Sequence, residues 1–161
     1  MVTSYIAIGS NVGERRTFCR EAVAFLGESP GVDVIATSSL YETSPVGGPP
    51  QRSFVNAVVQ IETSLSPREL LDLCKRIEAR LGREPGELRW GPRVADLDVL
   101  LFDDVKVNEP DLEIPHPRMT TRAFVLIPLI EIDPEVADPW GMPYRDLVDE
   151  AGGDVRLMEP F

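Results

Sequence analysis

Residues 53–82 read SFVNAVVQIETSLSPRELLDLCKRIEARLG, a strand, a turn and a helix in one uninterrupted run. Ser53 to Glu62 is rich in Val, Ile and Phe and alternates well enough to predict a strand. Ser66-Pro67-Arg68-Glu69 is a capping box: Ser66 caps, Pro67 opens the first turn and Glu69 reaches back to the cap. The stripe Leu70, Leu73, Ile77 and Leu81 gives the helix one apolar face, and Gly82 supplies the left-handed residue that ends it.

On the N-terminal side, Val2 to Ile8 reads as a strand, and Gly9-Ser10-Asn11-Val12-Gly13 as a turn into a helix from Glu14 to Leu26, with Phe18, Ala22 and Phe25 on its buried face. Val32 to Tyr41 predicts a second strand, followed by the Pro/Gly-rich loop Ser44 to Pro50. On the C-terminal side a long loop, Arg83 to Arg93, leads to a strand from Val94 to Phe102. Asp103-Asp104 then turns it into a hairpin through Val105–Val107, and a helix starts at Arg122, kinked or shortened by Pro128. Strand, helix, strand, strand, helix, strand is the order of an α+β, ferredoxin-like βαββαβ core. It implies a mainly antiparallel sheet with helices packed on one face and, here, a C-terminal extension.

The 161 residues fit one domain, 1–161, with no repeats and no low-complexity stretch. No apolar run approaches the ~20 residues that span a bilayer, and there is no basic-then-apolar leader, so the expected location is the cytoplasm. Cys19 and Cys74 lie in amphipathic segments and read as buried thiols rather than a disulfide. A formal charge of −11 argues against a nucleic-acid partner, so an anionic ligand must meet a local basic cluster. Fourteen of the sixteen basic residues are arginine, which makes forked contacts to phosphate available wherever they gather.

Asp96-Leu97-Asp98 opens a strand, so both carboxylates project from one face while Leu97, Val99 and Leu101 take the other. Two acids side by side either solvate a strand end or hold a cation. Magnesium suits them, since it takes one or two carboxylates and completes its shell with phosphate oxygens and water. Upstream lie Arg83, Arg89 and Arg93 around Trp90-Gly91-Pro92. Each arginine alone reads as a surface ion pair; beside a two-acid site the group reads as a phosphate clamp for phosphoryl transfer. Gly82, Gly86 and Gly91 suit a closing lid, or an ordinary long connection.

Phe54 and Asn56 share a strand face and offer a ring and an amide to a planar heterocycle, with Phe124 available as a second wall; taken alone, Phe54 reads as core. His116, the only histidine, sits between Pro115 and Pro117 near Arg118 and Arg122, as a phosphate contact or a surface residue, with general-base duty the weaker option. Residues 9–13 lack the Gly-Lys-Ser/Thr ending of a P-loop, and no serine lies in a nucleophile elbow.

In order, residues 5–11, 41–47, Phe54-Val55-Asn56-Ala57, Arg89-Trp90-Gly91-Pro92-Arg93, 96–102 and Ile114-Pro115-His116-Pro117-Arg118 resemble the hydroxymethyldihydropterin pyrophosphokinases over nearly the whole chain. The resemblance implies transfer of pyrophosphate from ATP to the hydroxymethyl group of a reduced pterin, with release of AMP, in folate biosynthesis. It implies Asp96 and Asp98 as ligands of two Mg²⁺ ions, with Arg83 and Arg93 acting beside them. It places ATP against Arg89, Trp90, Arg93, Val99, His116 and Arg122. The pterin would lie between Phe54 and Phe124, read by Asn56 and by Thr43, Ser44, Pro45 and Val46, with Trp90 in the closing loop. The expected partners are the small molecules ATP and a reduced pterin, with no nucleic acid and no membrane, and the expected state is a monomer. Relatives often carry a second lid arginine where this chain has Pro85, and a tyrosine where it has Phe54. The rival readings are a ligand sensor on the same fold and a phosphoryl or nucleotidyl transferase with another acceptor.

Overall fold

The computed structural model describes residues 1–44, 53–82 and 95–161. In chain order these form β1 (Val2–Ser10), α1 (Arg15–Glu28), β2 (Val32–Thr37), β3 (Leu40–Thr43), β4 (Phe54–Thr63), α2 (Pro67–Arg80), β5 (Asp96–Phe102), β6 (Val107–Glu109), β7 (Leu112–Ile114), α3 (Ala123–Ile132) and β8 (Val155–Glu159). The main sheet runs β5-β1-β4-β3-β8, with β2 also paired to β4, and every pairing in it is antiparallel. This is the expected ferredoxin-like order: the two helical crossovers place β1 between β4 and β5, and β8 adds a strand at the edge.

The segment predicted as one strand over 32–41 is two, because the chain steps out of register at Ser38-Ser39. The groups freed by the break are satisfied. Ser38 Oγ accepts from Val58 N at 2.9 Å, and the Glu131 carboxylate on α3 accepts from Ser39 N, Ser39 Oγ and the Tyr41 hydroxyl at 2.9, 2.7 and 2.6 Å. The predicted hairpin also moves. Asp103-Asp104 does turn the chain, with Asp103 at φ +52°, yet the paired strands are β6 and β7, because Pro110-Asp111 supplies the tighter turn between them.

The sheet buries both faces. Ile6, Ile8, Val55, Ala57, Val59, Ile61, Leu97 and Val99 pack under α1 and α2. Tyr5, Val58, Leu100 and Leu101 pack under α3 and the 3-10 turn Tyr144–Glu150. Helices on a single face were expected, but α3 covers the opposite one: its sequence AFVLIPLIEI is apolar nearly all round, Pro128 included, and such a helix must be buried. Leu101 moves with it. An extra residue in β5 opposite Tyr5-Ile6 breaks the alternation and turns Leu101 away from the face of Leu97 and Val99. In α1 the inward side is Cys19, Ala22, Val23 and Leu26, with Phe18 and Phe25 half-buried beside it.

Both cysteines are free and buried, and burial pushes each thiol up to about 12. The capping box forms as read: Ser66 Oγ accepts from Glu69 N at 3.2 Å and Glu69 Oε1 from Ser66 N at 2.9 Å, and Gly82 follows at φ +111°. Ser66→Ala is expected to cost about 1 kcal/mol, read as a lower urea midpoint with unchanged ligand affinity. A variant as stable as the parent would remove the cap from the account of α2.

Candidate active site

The sheet register explains how distant residues meet. Gly9 in β1 pairs with Asn56 on one side and Asp96 on the other, and Ala7 pairs with Val58 and Asp98. Directly paired residues share a face, so Phe54 and Asn56 lie across a Gly/Ala floor from Asp96 and Asp98. The result is a cavity of about 530 Å³ between that floor and α3, within the usual range for a small-molecule site. Its lining includes Thr43, Ser44, Phe54, Asn56, Asp96, Asp98, His116, Arg122 and Phe124.

One end is aromatic and amide-bearing. Thr43 and Phe54 are a cross-strand pair, and buried Asn56 donates from Nδ2 to Thr43 Oγ1 at 2.6 Å. Phe124, half-buried at the start of α3, is the second ring and carries the Arg122 guanidinium 5.5 Å from its centroid. The other end is charged: Asp96 is half-buried and Asp98 exposed. His116 and Arg122 are half-buried and both lie within the field of Asp98.

Burial, outweighing Asp98, lowers the His116 pKa below its ordinary value, so the ring is neutral at neutral pH. Its Nδ1 accepts from Arg118 N at 3.2 Å, which leaves the proton on Nε2, a neutral donor on a residue of the cavity lining. Burial also lowers Arg122, which stays cationic. An acidic pair beside one neutral donor and one fixed cation fits a magnesium-bound polyphosphate. Two carboxylates are an incomplete cage, and no larger acidic or histidine cluster exists among the described residues; an ion whose shell is finished by phosphate and water matches that donor set.

The structure thus brings Thr43, Ser44, Phe54, Asn56, Asp96, Asp98, His116, Arg122 and Phe124 together. Val99 is not with them: its side chain lies in the core under α2, as alternation from Asp98 requires. Pro45, Val46, Arg83, Arg89, Trp90 and Arg93, and with them the proposed lid, lie outside the described residues.

Two contributors were missed by sequence reasoning. Gly9 belongs to β1 rather than to the turn after it, and a Cβ there would sit 3.0 Å from Asn56 Oδ1. Gly9→Ala is therefore expected to push Asn56 off Thr43 and weaken binding of a planar ligand by about tenfold, measured by fluorescence titration. Unchanged affinity would mean the floor tolerates a methyl group. Glu78, on the inner side of α2 and 3% exposed, accepts from Leu97 N at 2.8 Å and so holds the amide between the two aspartates. In sequence it looks like any charged residue of an amphipathic helix.

A family model described as 7,8-dihydro-6-hydroxymethylpterin-pyrophosphokinase (HPPK) matches residues 5–134. A Bacillus subtilis (strain 168) protein named 2-amino-4-hydroxy-6-hydroxymethyldihydropteridine pyrophosphokinase is 53% identical over 133 residues, 83% of this chain and 79% of its own length. A Methylorubrum extorquens protein of the same name is 45% identical over 136 residues, 84% of this chain and 85% of its own. Among solved structures, a crystal structure of HPPK-DHPS in complex with substrates superposes with a TM-score of 0.73 at 14% identity, covering 92% of this chain. The chain spans 43% of that longer protein, and at this identity the likeness speaks for the fold.

Proposed function

The chain belongs to the 7,8-dihydro-6-hydroxymethylpterin-pyrophosphokinase family, and from that membership we propose the reaction and the roles of its residues. It transfers pyrophosphate from ATP to the hydroxymethyl group of 6-hydroxymethyl-7,8-dihydropterin and releases AMP, a step of folate biosynthesis. One observation carries the reading of the site. A single cavity joins an aromatic, amide-bearing end to a two-carboxylate end with a histidine and an arginine beside it.

The pterin stacks between Phe54 and Phe124, its polar edge meeting Asn56 and the segment Thr43, Ser44, Pro45 and Val46. Phe54 supplies the ring face without a hydroxyl. The ATP phosphates face His116 Nε2–H and Arg122, with Arg83, Arg89 and Arg93 adding charge and Trp90 helping to exclude water. Asp96 and Asp98 hold two Mg²⁺ ions, which supply charge neutralisation on the phosphates.

The pterin hydroxyl oxygen forms a bond to the β-phosphorus of ATP as the bond from that phosphorus to the oxygen bridging the α-phosphorus breaks. AMP leaves with the electron pair. Asp96 or Asp98 orients the hydroxyl, whose proton passes to solvent. The in-line arrangement needs both ligands fixed, and here that is the work of the shared floor and of α3. Residues 1–161 act as one domain, as a cytoplasmic monomer on small molecules alone. No described helix is long and apolar enough to cross a membrane.

The test is AMP formation from ATP and Mg²⁺ with and without the pterin. AMP that depends on the pterin is expected. Pterin binding with no AMP would make the protein a sensor, and phosphate release from ATP alone would point to a different acceptor.

A further inference from the structure

Arg15 opens α1, outside the cavity and absent from its lining. Its Nη1 donates to Ser53 O at 2.8 Å and to Glu42 Oε2 at 3.3 Å, and both its side chain and that of Glu42 are largely buried, 15% and 23% exposed. Glu42 is the residue before Thr43 and Ser53 the residue before Phe54. Thr43 and Phe54 in turn face one another across β3 and β4 and line the aromatic end of the cavity. One guanidinium therefore ties the backbone carbonyl just before Phe54 to the carboxylate of the residue just before Thr43. A charged donor with one acceptor in β3 and the other at the entry to β4 adds to the β3–β4 pairing a restraint that a neutral side chain would supply less strongly.

We infer that Arg15 is a positioning residue for the pterin subsite, clamping Glu42 and Ser53 so that Thr43, Phe54 and, through Thr43, Asn56 hold the geometry a planar ligand requires. This role rests on the proposed pterin reading of the cavity. It gives the first turn of α1, which lies outside the cavity lining, a part in substrate affinity. It also separates the two ends of the site, since Asp96, Asp98, His116 and Arg122 are held by other elements.

Arg156 provides an internal control. It too bonds Glu42, through Oε1, but from β8 with a side chain 63% exposed, and it reaches neither Ser53 nor the cavity. If any ion pair to Glu42 sufficed, removing either arginine would act alike.

The experiment measures pterin affinity by fluorescence, affinity for a non-hydrolysable ATP analogue, steady-state kinetics and thermal midpoint for the full chain and its R15M, R15K and R156M variants. R15M is expected to raise the pterin Kd and KM by about tenfold, with kcat and nucleotide affinity within about threefold. R15K should recover part of that loss, and R156M should match the parent within about twofold, as exposed ion pairs do. Pterin affinity unchanged in R15M overturns the role, as does an equal loss for both ligands in step with a fallen thermal midpoint, or an equal loss in R156M. A parent protein that binds no pterin overturns the subsite reading together with this role, whereas a parent that binds it and an R15M variant that binds it equally overturn the role alone.

Discussion

Replacing Asp98 by alanine is expected to lower pterin-dependent AMP release by about 10³-fold or more, with pterin affinity held within about threefold. Asp98 is exposed at the cavity's charged end, so its loss leaves the core intact and the aromatic end untouched. What disappears is half of the only pair of acids that faces the cavity among its described lining residues. His116 and Arg122 can still attract phosphate, but they add only donors and positive charge and cannot retain a divalent cation. Asp98→Asn separates charge from shape and should fall nearly as far, because an amide is a poor ligand for magnesium. The assay is AMP formation at saturating ATP, beside a pterin titration and a thermal melt. Losses under about tenfold in both variants, with folding intact, would sink the assignment of this residue to the reacting phosphates.

Much of this site is legible in the sequence because it depends on short-range periodicity. Alternation puts Asp96 and Asp98 on one side of a strand whatever the strand packs against, and Phe54 and Asn56 share a face for the same reason. The capping box at Ser66 is likewise a four-residue fact. What stayed hidden depends on neighbours far away in the chain. Gly9 is a floor residue only because β1 lies between β4 and β5, and Leu101 changes face only because β5 bulges against Tyr5-Ile6. α3 reads as a helix but not as a lid on the second face. That placement follows from an apolar surface too broad for a single contact and from Glu131, which meets the break between β2 and β3.

The same distinction separates the two kinds of residue behind the chemistry. Phe124 and Arg122 enter the sequence reading as an available ring and as a cation near His116, and the family resemblance then gives them roles at the site, since nothing local ties residue 54 to residue 124; the sheet and α3 supply the physical reason. Arg15 and Glu78 enter through no pattern at all. A charged side chain at the start or on the face of an amphipathic helix is ordinarily solvated, and only the burial of these two marks them as different.

Glu78 should therefore show the second large effect. Glu78→Ala is expected to destabilise the fold by about 2–4 kcal/mol and to lower activity per folded molecule by about 10²-fold. β5 ends the sheet, paired on one side by β1, so its outward groups need partners from elsewhere. Glu78 Oε2 accepts from Leu97 N at 2.8 Å, and His116 N donates to Leu100 O at 2.9 Å. Alanine leaves the Leu97 amide buried without its acceptor, opens space under the strand and frees the peptide that sets Asp96 and Asp98. The neighbouring Cys74 thiol, raised first by burial, is raised further by Glu78 and then by Asp98, so both acids act on one small region. Glu78→Gln keeps an oxygen that can accept the same bond and should stay within about 1 kcal/mol and fivefold of the parent. Denaturant midpoints and AMP formation corrected for folded fraction read the two effects separately. If alanine and glutamine lower activity alike, the charge on Glu78 matters more than its hydrogen bond; if alanine costs stability alone, the tripeptide keeps its geometry without α2 and Glu78 is only a core contact.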